Sequence, residues 1–116
     1  MKRILVVEDH DLFRQALITL LDRQPDFEVV GQARSVSEGH DLGASETFDV
    51  AILDLHLPDG DATDLIGEYR AAAPHCSVLV LTMFPGEAEG AGADVTLGKD
   101  AALDEVVGTI RDLGKG

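Results

Sequence analysis

Charged and hydroxyl side chains follow four short apolar runs of this sequence, each at the point where its run ends. A Glu-Asp pair follows the first run, an aspartate the second, a threonine the third and a lysine the fourth. These five residues are Glu8, Asp9, Asp54, Thr82 and Lys99. In an open parallel sheet the carboxyl ends of the strands share one edge, where ligands bind in a crevice. We therefore expect three carboxylates, a hydroxyl and an ammonium to lie close together.

This set of groups suits chemistry on a phosphoryl group. Carboxylates are hard oxygen ligands for Mg²⁺, which keeps several waters and takes one or two carboxylates together with phosphate oxygens. Lys99 and Thr82 can contact the phosphoryl oxygens. With the cation and the lysine offsetting its charge, Asp54 can attack phosphorus as a nucleophile and form an acyl phosphate. Any one charged residue after a strand is ordinarily just solvated, but complementary chemistry after all four runs is a far less common coincidence.

The apolar runs themselves are typical of strands buried on both faces of a sheet. A looser apolar alternation indicates one more strand, and Pro58 followed by Asp59-Gly60 predicts a turn soon after Asp54. The predicted strands are Ile4–Val7, Phe27–Ala33, Val50–Leu53, Ser77–Leu81 and Val95–Gly98.

Apolar residues recur at helical spacing between most of these strands. Ser35 and Glu38 have the spacing of a capping box, a pattern that begins a helix. Alternating strands and helices predict a parallel sheet with right-handed crossovers and helices on both faces. The predicted helices run from a cap at Asp11 to Arg23, from Ser35 to Gly43, from a cap at Asp61 or Thr63 to Ala73, and from Ala102 to Leu113.

Four separated motifs carry the site residues: Glu8-Asp9, Asp54 followed by Leu-His-Leu-Pro-Asp-Gly, Leu81-Thr82, and Lys99-Asp100-Ala101. In this order they resemble the receiver domain of two-component response regulators. The resemblance covers essentially the whole chain, so we expect one receiver domain over residues 1–116. It implies an α/β flavodoxin-like fold, a doubly wound parallel sheet of five strands in the order 2-1-3-4-5.

The resemblance also implies a role for each site residue. Asp54 is implied to be the phosphoacceptor, with Lys99 as the phosphate-sensing lysine and Thr82 as the switch hydroxyl. The implied ligands of Mg²⁺ are Glu8, Asp9, Asp54 and the main-chain carbonyl of His56. A receiver catalyses only its own phosphorylation and dephosphorylation, so we do not expect an enzyme that acts on an external substrate.

The implied partners are a sensor histidine kinase, which donates the phosphoryl group, and a downstream effector domain that binds DNA. Asp100, where receivers more often have proline, is typical of receivers joined to a helix-turn-helix output domain. A formal charge of −13 with only nine Lys and Arg disfavours direct contact between this domain and nucleic acid.

We expect a cytoplasmic location, because no apolar run is long enough for a membrane span and Cys76 lacks a partner cysteine. Homodimerisation stays open.

The stretch Met83–Asp94 departs from the family pattern. Thr82 and Lys99 are only 17 positions apart, and this stretch contains a proline and three glycines. Because Gly costs about 1 kcal/mol and Pro about 3 kcal/mol in a helix interior, we predict that the family's fourth helix is shortened or absent. At most one helical turn is expected, near Glu87–Gly90.

Two other readings compete with a phosphorylation switch. Thr96 stands where receivers often have an aromatic residue coupled to the switch hydroxyl. This and the short stretch favour a phosphorylation-independent protein-interaction module with a degenerate receiver switch, whereas the four intact motifs oppose it. A small magnesium-dependent phosphohydrolase is the third reading, but the sequence shows neither an additional acid or base nor a substrate cap.

If the domain is a phosphorylation switch, His56 and Phe84 occupy the family's variable positions beside the phosphoryl site. We hypothesise that they tune hydrolysis of the acyl phosphate.

Overall fold

A five-stranded parallel sheet forms the centre of the computed structural model, which describes residues 1–113. In chain order the strands are β1 (Lys2–Val7), β2 (Phe27–Ala33), β3 (Val50–Leu53), β4 (His56–Leu57), β5 (Gly60–Asp61), β6 (Ser77–Thr82) and β7 (Val95–Gly98). The main sheet has the order β2-β1-β3-β6-β7, and β4 and β5 form a separate antiparallel hairpin. The predicted doubly wound order 2-1-3-4-5 is therefore confirmed.

Helices cover both faces of this sheet. They are α1 (Asp11–Asp22), α2 (Val36–Ser45), α3 (Thr63–Ala72) and α4 (Leu103–Asp112). Side chains alternate along each strand, so that Ile4 and Val6 pack in one core with α1 and α4. Leu5 and Val7 point the other way, into a core formed with α2 and α3. Within residues 1–113, no helix is both long and apolar enough to cross a bilayer.

The starts of two helices differ from the sequence prediction. Asp11 is the first residue of α1 and not its cap, which is His10 and makes no side-chain capping bond. The cap of α3 is Ala62, although Asp61 still accepts a hydrogen bond from the Thr63 N–H at 2.9 Å. The predicted cap at Asp11 is therefore wrong by one position, whereas the side chain of Asp61, one of the two predicted caps of α3, does bond the start of that helix.

The second helix begins as predicted and ends later than predicted. The Ser35 hydroxyl accepts a hydrogen bond from the Glu38 N–H at 3.1 Å, which confirms the cap. Gly43, where we expected the helix to stop, lies inside α2, which ends at Ser45. A Cβ at Gly43 would overlap the ring of Tyr69 on α3, so this glycine allows the two helices to approach closely. A packing requirement therefore explains a glycine that the sequence suggested was a stop signal.

A single 3₁₀ turn, Pro85–Ala88, replaces the helix that receivers normally place between β6 and β7. The turn lies slightly before the predicted Glu87–Gly90, because proline fits the first position of a helical turn. Gly90 and Gly92 follow with φ of 82° and 94°, values that favour glycine. The prediction of a shortened fourth helix is confirmed.

Arg70 on α3 holds the stretch that follows the 3₁₀ turn. Its guanidinium donates to the Gly92 carbonyl at 2.6 Å and to Asp94 Oδ2 at 3.0 Å. The same Asp94 oxygen accepts a hydrogen bond from the Val78 N–H at 2.7 Å. Side-chain hydrogen bonds thus anchor the short connection to α3 and to β6. The last predicted helix is confirmed as α4, whereas the tail at residues 114–116 lies outside the described residues.

Two glycine-to-alanine substitutions should change stability in opposite directions. Gly43→Ala should destabilise the domain by about 1 to 3 kcal/mol through overpacking, because Tyr69 is buried and its hydroxyl is bonded to the Gly39 carbonyl. Gly67→Ala should stabilise it by up to about 1 kcal/mol, because a Cβ at that helical position meets no atom within 4 Å. Urea denaturation of both variants measures this difference, and an equal gain in both would contradict the packing described.

Candidate functional site

Three carboxylates meet at the carboxyl ends of β1 and β3. Glu8 and Asp9 follow β1 and Asp54 follows β3, and the two strands are held together there by a 2.9 Å hydrogen bond from the Asp54 N–H to the Val7 carbonyl. Oxygens of the three side chains all lie within 4.8 Å of one another. Glu8 and Asp54 are buried, whereas Asp9 is exposed. The structure therefore brings together the acidic residues that the sequence placed at one sheet edge.

Lys99 reaches into this acidic cluster from the end of β7. Its Nζ lies 3.0 Å from Asp54 Oδ2 and is ion-paired with Glu8 Oε1. The Lys99 N–H donates to the Thr82 carbonyl at 2.8 Å, which fixes the start of the side chain beside β6. The centroid of the Phe13 ring on α1 lies 4.9 Å from Nζ, a cation–π contact that stabilises the ammonium.

The charges at this site are not balanced by its own residues. Burial raises the pKa of Glu8 to about 7, with Asp54 adding to the rise and Lys99 opposing it. Burial lowers the pKa of Lys99, but its hydrogen bonds to Glu8 and Asp54 and their charges outweigh this, so the pKa is raised. Glu8 Oε2 is buried and has no hydrogen-bond partner in the part of the chain that the structure describes. An oxygen-rich site with excess negative charge and an unpartnered carboxylate oxygen fits a hard divalent cation such as Mg²⁺.

Thr82 is the last residue of β6 and is buried. Its hydroxyl accepts a hydrogen bond from the Phe84 N–H at 3.3 Å. No hydrogen bond joins Thr82 to Asp54 among residues 1–113. The structure thus places this hydroxyl at the end of the neighbouring strand, where it contacts the following loop.

The response regulator receiver domain is the family whose model matches this chain, over residues 4–111. The chain belongs to that family. Among curated proteins, the DNA-binding transcriptional activator DevR/DosR of Mycobacterium tuberculosis is 33% identical over 121 residues, covering 100% of this chain and 56% of that protein. The transcriptional regulatory protein LiaR of Bacillus subtilis is 31% identical, covering 100% of this chain and 57% of that protein. The chain therefore spans about half the length of these relatives.

Solved structures of response regulators have the same fold. A two-component response regulator of the LuxR family from Aurantimonas matches with a TM-score of 0.86 and 28% identity, covering 98% of this chain and 85% of that one. A Burkholderia pseudomallei response regulator with a phosphorylated aspartic acid, a calcium ion and citrate matches with a TM-score of 0.82 and 27% identity, covering 98% of this chain and 69% of that one.

The receiver's hairpin β4–β5 makes two contacts that the sequence did not predict. The His56 ring Nε2 lies 2.5 Å from Glu87 Oε2, so the hairpin and the 3₁₀ turn contact each other. At the tip of the hairpin, the Asp59 carboxylate accepts hydrogen bonds from the backbone N–H groups at the start of α2, at 2.8 and 3.1 Å. These bonds lower the pKa of Asp59. The metal-ligand role of the His56 carbonyl remains a prediction.

Arg14 is a further residue of this region that the sequence reading missed. Its side chain is only 8% exposed and lies against the loop that carries Glu8 and Asp9. Helical spacing gives a signal that could have found it, because Arg14 precedes the buried Leu17 and Leu21 by three and seven positions, on the same face of α1.

The raised pKa of Glu8 predicts how the stability of the metal-free receiver depends on pH. A folded-state pKa of about 7, against an ordinary 4.5, means that the folded protein holds a proton which the unfolded chain has lost. The free energy of unfolding should therefore fall by about 1 to 3 kcal/mol as pH rises from about 4.5 to 7. Glu8→Gln should remove this fall, whereas Gln in place of the exposed Glu89 should keep it. Urea denaturation in EDTA at several pH values measures the slope, and a slope of the same size in Glu8→Gln would refute the assignment to Glu8.

Proposed function

We propose that this receiver takes a phosphoryl group onto Asp54 from the phosphohistidine of a sensor histidine kinase. The observation that carries this proposal is the position of Asp54, within 4.8 Å of two further carboxylates and 3.0 Å from the Lys99 ammonium. An Asp54 oxygen attacks phosphorus, the P–N bond of the donor breaks, and its electron pair returns to the histidine ring. The product is an aspartyl phosphate, and the chain acts on no external substrate.

Glu8, Asp9, Asp54 and the His56 carbonyl are the residues that would hold Mg²⁺. When bound, this ion neutralises phosphoryl oxygens and so lowers the repulsion that Asp54 meets. Lys99, already beside Asp54, has an ammonium that can move to a phosphoryl oxygen. The Thr82 hydroxyl can give up its contact with the Phe84 N–H for the same group. Phosphorylation adds a charge of about −2, so movement of these two side chains would shift the loops after β3 and β6.

The relatives support this chemistry and indicate an output. The Burkholderia pseudomallei protein carries a phosphorylated aspartic acid, and we propose the same modification here. DevR/DosR is a DNA-binding transcriptional activator almost twice as long as the matched region. With a net charge of −13, we propose that the present chain is one cytoplasmic receiver domain over residues 1–116 and that a separate effector domain contacts DNA.

A second candidate is a phosphorylation-independent interaction module. Two observations favour it: Thr96 stands where receivers often have an aromatic residue, and one 3₁₀ turn replaces the helix after β6. Both features adjoin β6, the strand that ends at Thr82, so the receiver could bind a partner without responding to phosphate. The response of the backbone to a phosphoryl mimic separates the two candidates.

Beryllofluoride with Mg²⁺ should bind at Asp54 and change the backbone around Thr82 and Lys99. Amide chemical shifts in these loops are the measurement, with mass spectrometry after a small-molecule phosphodonor as a second readout. Asp54→Asn should abolish both responses, since it removes the nucleophile but keeps the shape of the side chain. Mg²⁺-dependent binding with no change beyond the immediate site would favour the interaction module, and no binding at all would refute the proposed function.

His56 should slow hydrolysis of the aspartyl phosphate, because its contact with Glu87 holds one loop against another at the mouth of the site. An exposed contact of this kind is worth about 0.5 to 1 kcal/mol, which corresponds to about a two- to fivefold change in rate. His56→Ala keeps the main-chain carbonyl, so we expect a correspondingly faster loss of phosphate. Phe84→Ala should also shorten the lifetime, since the exposed Phe84 follows Thr82 closely and its N–H is bonded to the Thr82 hydroxyl. Unchanged lifetimes in both variants would show that neither side chain limits access of water.

A further inference from the structure

Arg14 connects the acidic loop to two other elements of the fold. Its Nη1 donates to the Glu8 carbonyl at 2.8 Å, its Nε to Gln32 Oε1 on β2 at 2.8 Å, and its Nη2 to Asp11 Oδ1 at 2.7 Å. The three acceptors thus come from the loop after β1, from the adjacent strand and from the first turn of α1. A planar guanidinium with donors in a fixed fork can bond all three at once, whereas an ammonium on a flexible stem is less suited to this.

We infer that Arg14 is a positioning residue for the pair of carboxylates that would hold the cation, an inference that rests on the proposed function. The carbonyl it binds belongs to the peptide unit joining Glu8 to Asp9. The Glu8 N–H is held from the other side by the Ala33 carbonyl at 2.9 Å. Both backbone groups of Glu8 are therefore fixed, although this residue lies beyond the end of β1. Holding the peptide unit sets the directions in which the two side chains leave the chain.

The positioning effect and the positive charge of Arg14 should change Mg²⁺ affinity in opposite directions. The direction of the change on substitution therefore tests the inference. Arg14 is itself a buried cation close to the acidic loop, so its charge repels a divalent ion. If charge were its main influence, a neutral residue at this place would tighten cation binding. If Arg14 acts by holding the Glu8 carbonyl, the same substitution weakens binding, because the carboxylates lose their fixed arrangement. Loss of a group that orients metal ligands typically weakens affinity about 10- to 100-fold.

The experiment compares Arg14→Met, Arg14→Lys and Arg70→Met with the wild-type chain. Calorimetric titration with Mg²⁺ alone gives the affinity, and the amide nitrogen shift of Asp9 in the metal-free protein reports the hydrogen bond to the Glu8 carbonyl. Arg70→Met is the matched control, because this arginine also donates to backbone carbonyls, but these belong to Cys76 before β6 and Gly92 before β7. We expect about tenfold weaker Mg²⁺ binding in Arg14→Met, a smaller loss in Arg14→Lys, and unchanged binding in Arg70→Met. The Asp9 shift should move in the two Arg14 variants only.

Wild-type or tighter Mg²⁺ binding by a folded Arg14→Met protein would overturn the inference while leaving the proposed function intact. If that variant does not fold, Arg14→Lys decides, because it retains the charge and loses the fork. Weaker binding then supports positioning, and wild-type affinity refutes it. A wild-type chain that binds no Mg²⁺ would overturn the proposed function, and with it the role assigned to Arg14.

Discussion

Repulsion among three carboxylates at one sheet edge is the constraint on which the candidate site depends. Glu8 and Asp54 are buried, so their charges are poorly screened by water, and Lys99 brings only one positive charge to them. Packing holds this arrangement in place, because β3 and the last four residues of β1 are buried, and the Phe13 ring contacts the Lys99 ammonium. A site held in this state gains stability from any cation that fits it, and the cation in turn admits an anionic phosphoryl group.

The strands and the residues at their ends were predictable because burial on both faces leaves a strong signal. β3 consists of four consecutive apolar residues, all buried, and its bounds agree with the sequence prediction. The sequence alone places Asp54 and Lys99 together, since parallel strands end at a common edge. The shortened connection after β6 was equally predictable, because glycine and proline penalise a helix whatever surrounds them.

Contacts between distant parts of the chain could not be predicted in the same way. His56 and Glu87 are 31 positions apart, and only the folded loops bring them together. Arg14 is buried and bonds three acceptors, two of which lie outside its own helix, so the local sequence does not identify its role. The sequence around Gly43 predicts a helix end, because the ring of Tyr69 that requires a glycine there comes from another helix. In each case tertiary structure determines what the residue does.

The stretch fastened by Arg70 and Asp94 has a mechanical consequence. A helix lying across a sheet can slide or rotate as a rigid rod, and so carry a displacement from one end to a surface several turns away. Here the connection from β6 to β7 is one 3₁₀ turn followed by a few residues, and Asp94 is hydrogen-bonded to α3 and to β6. A displacement that begins beside Thr82 can therefore move only the few residues of this connection. A partner that detects such a displacement through the connection between β6 and β7 has to bind close to Asp54 and Lys99.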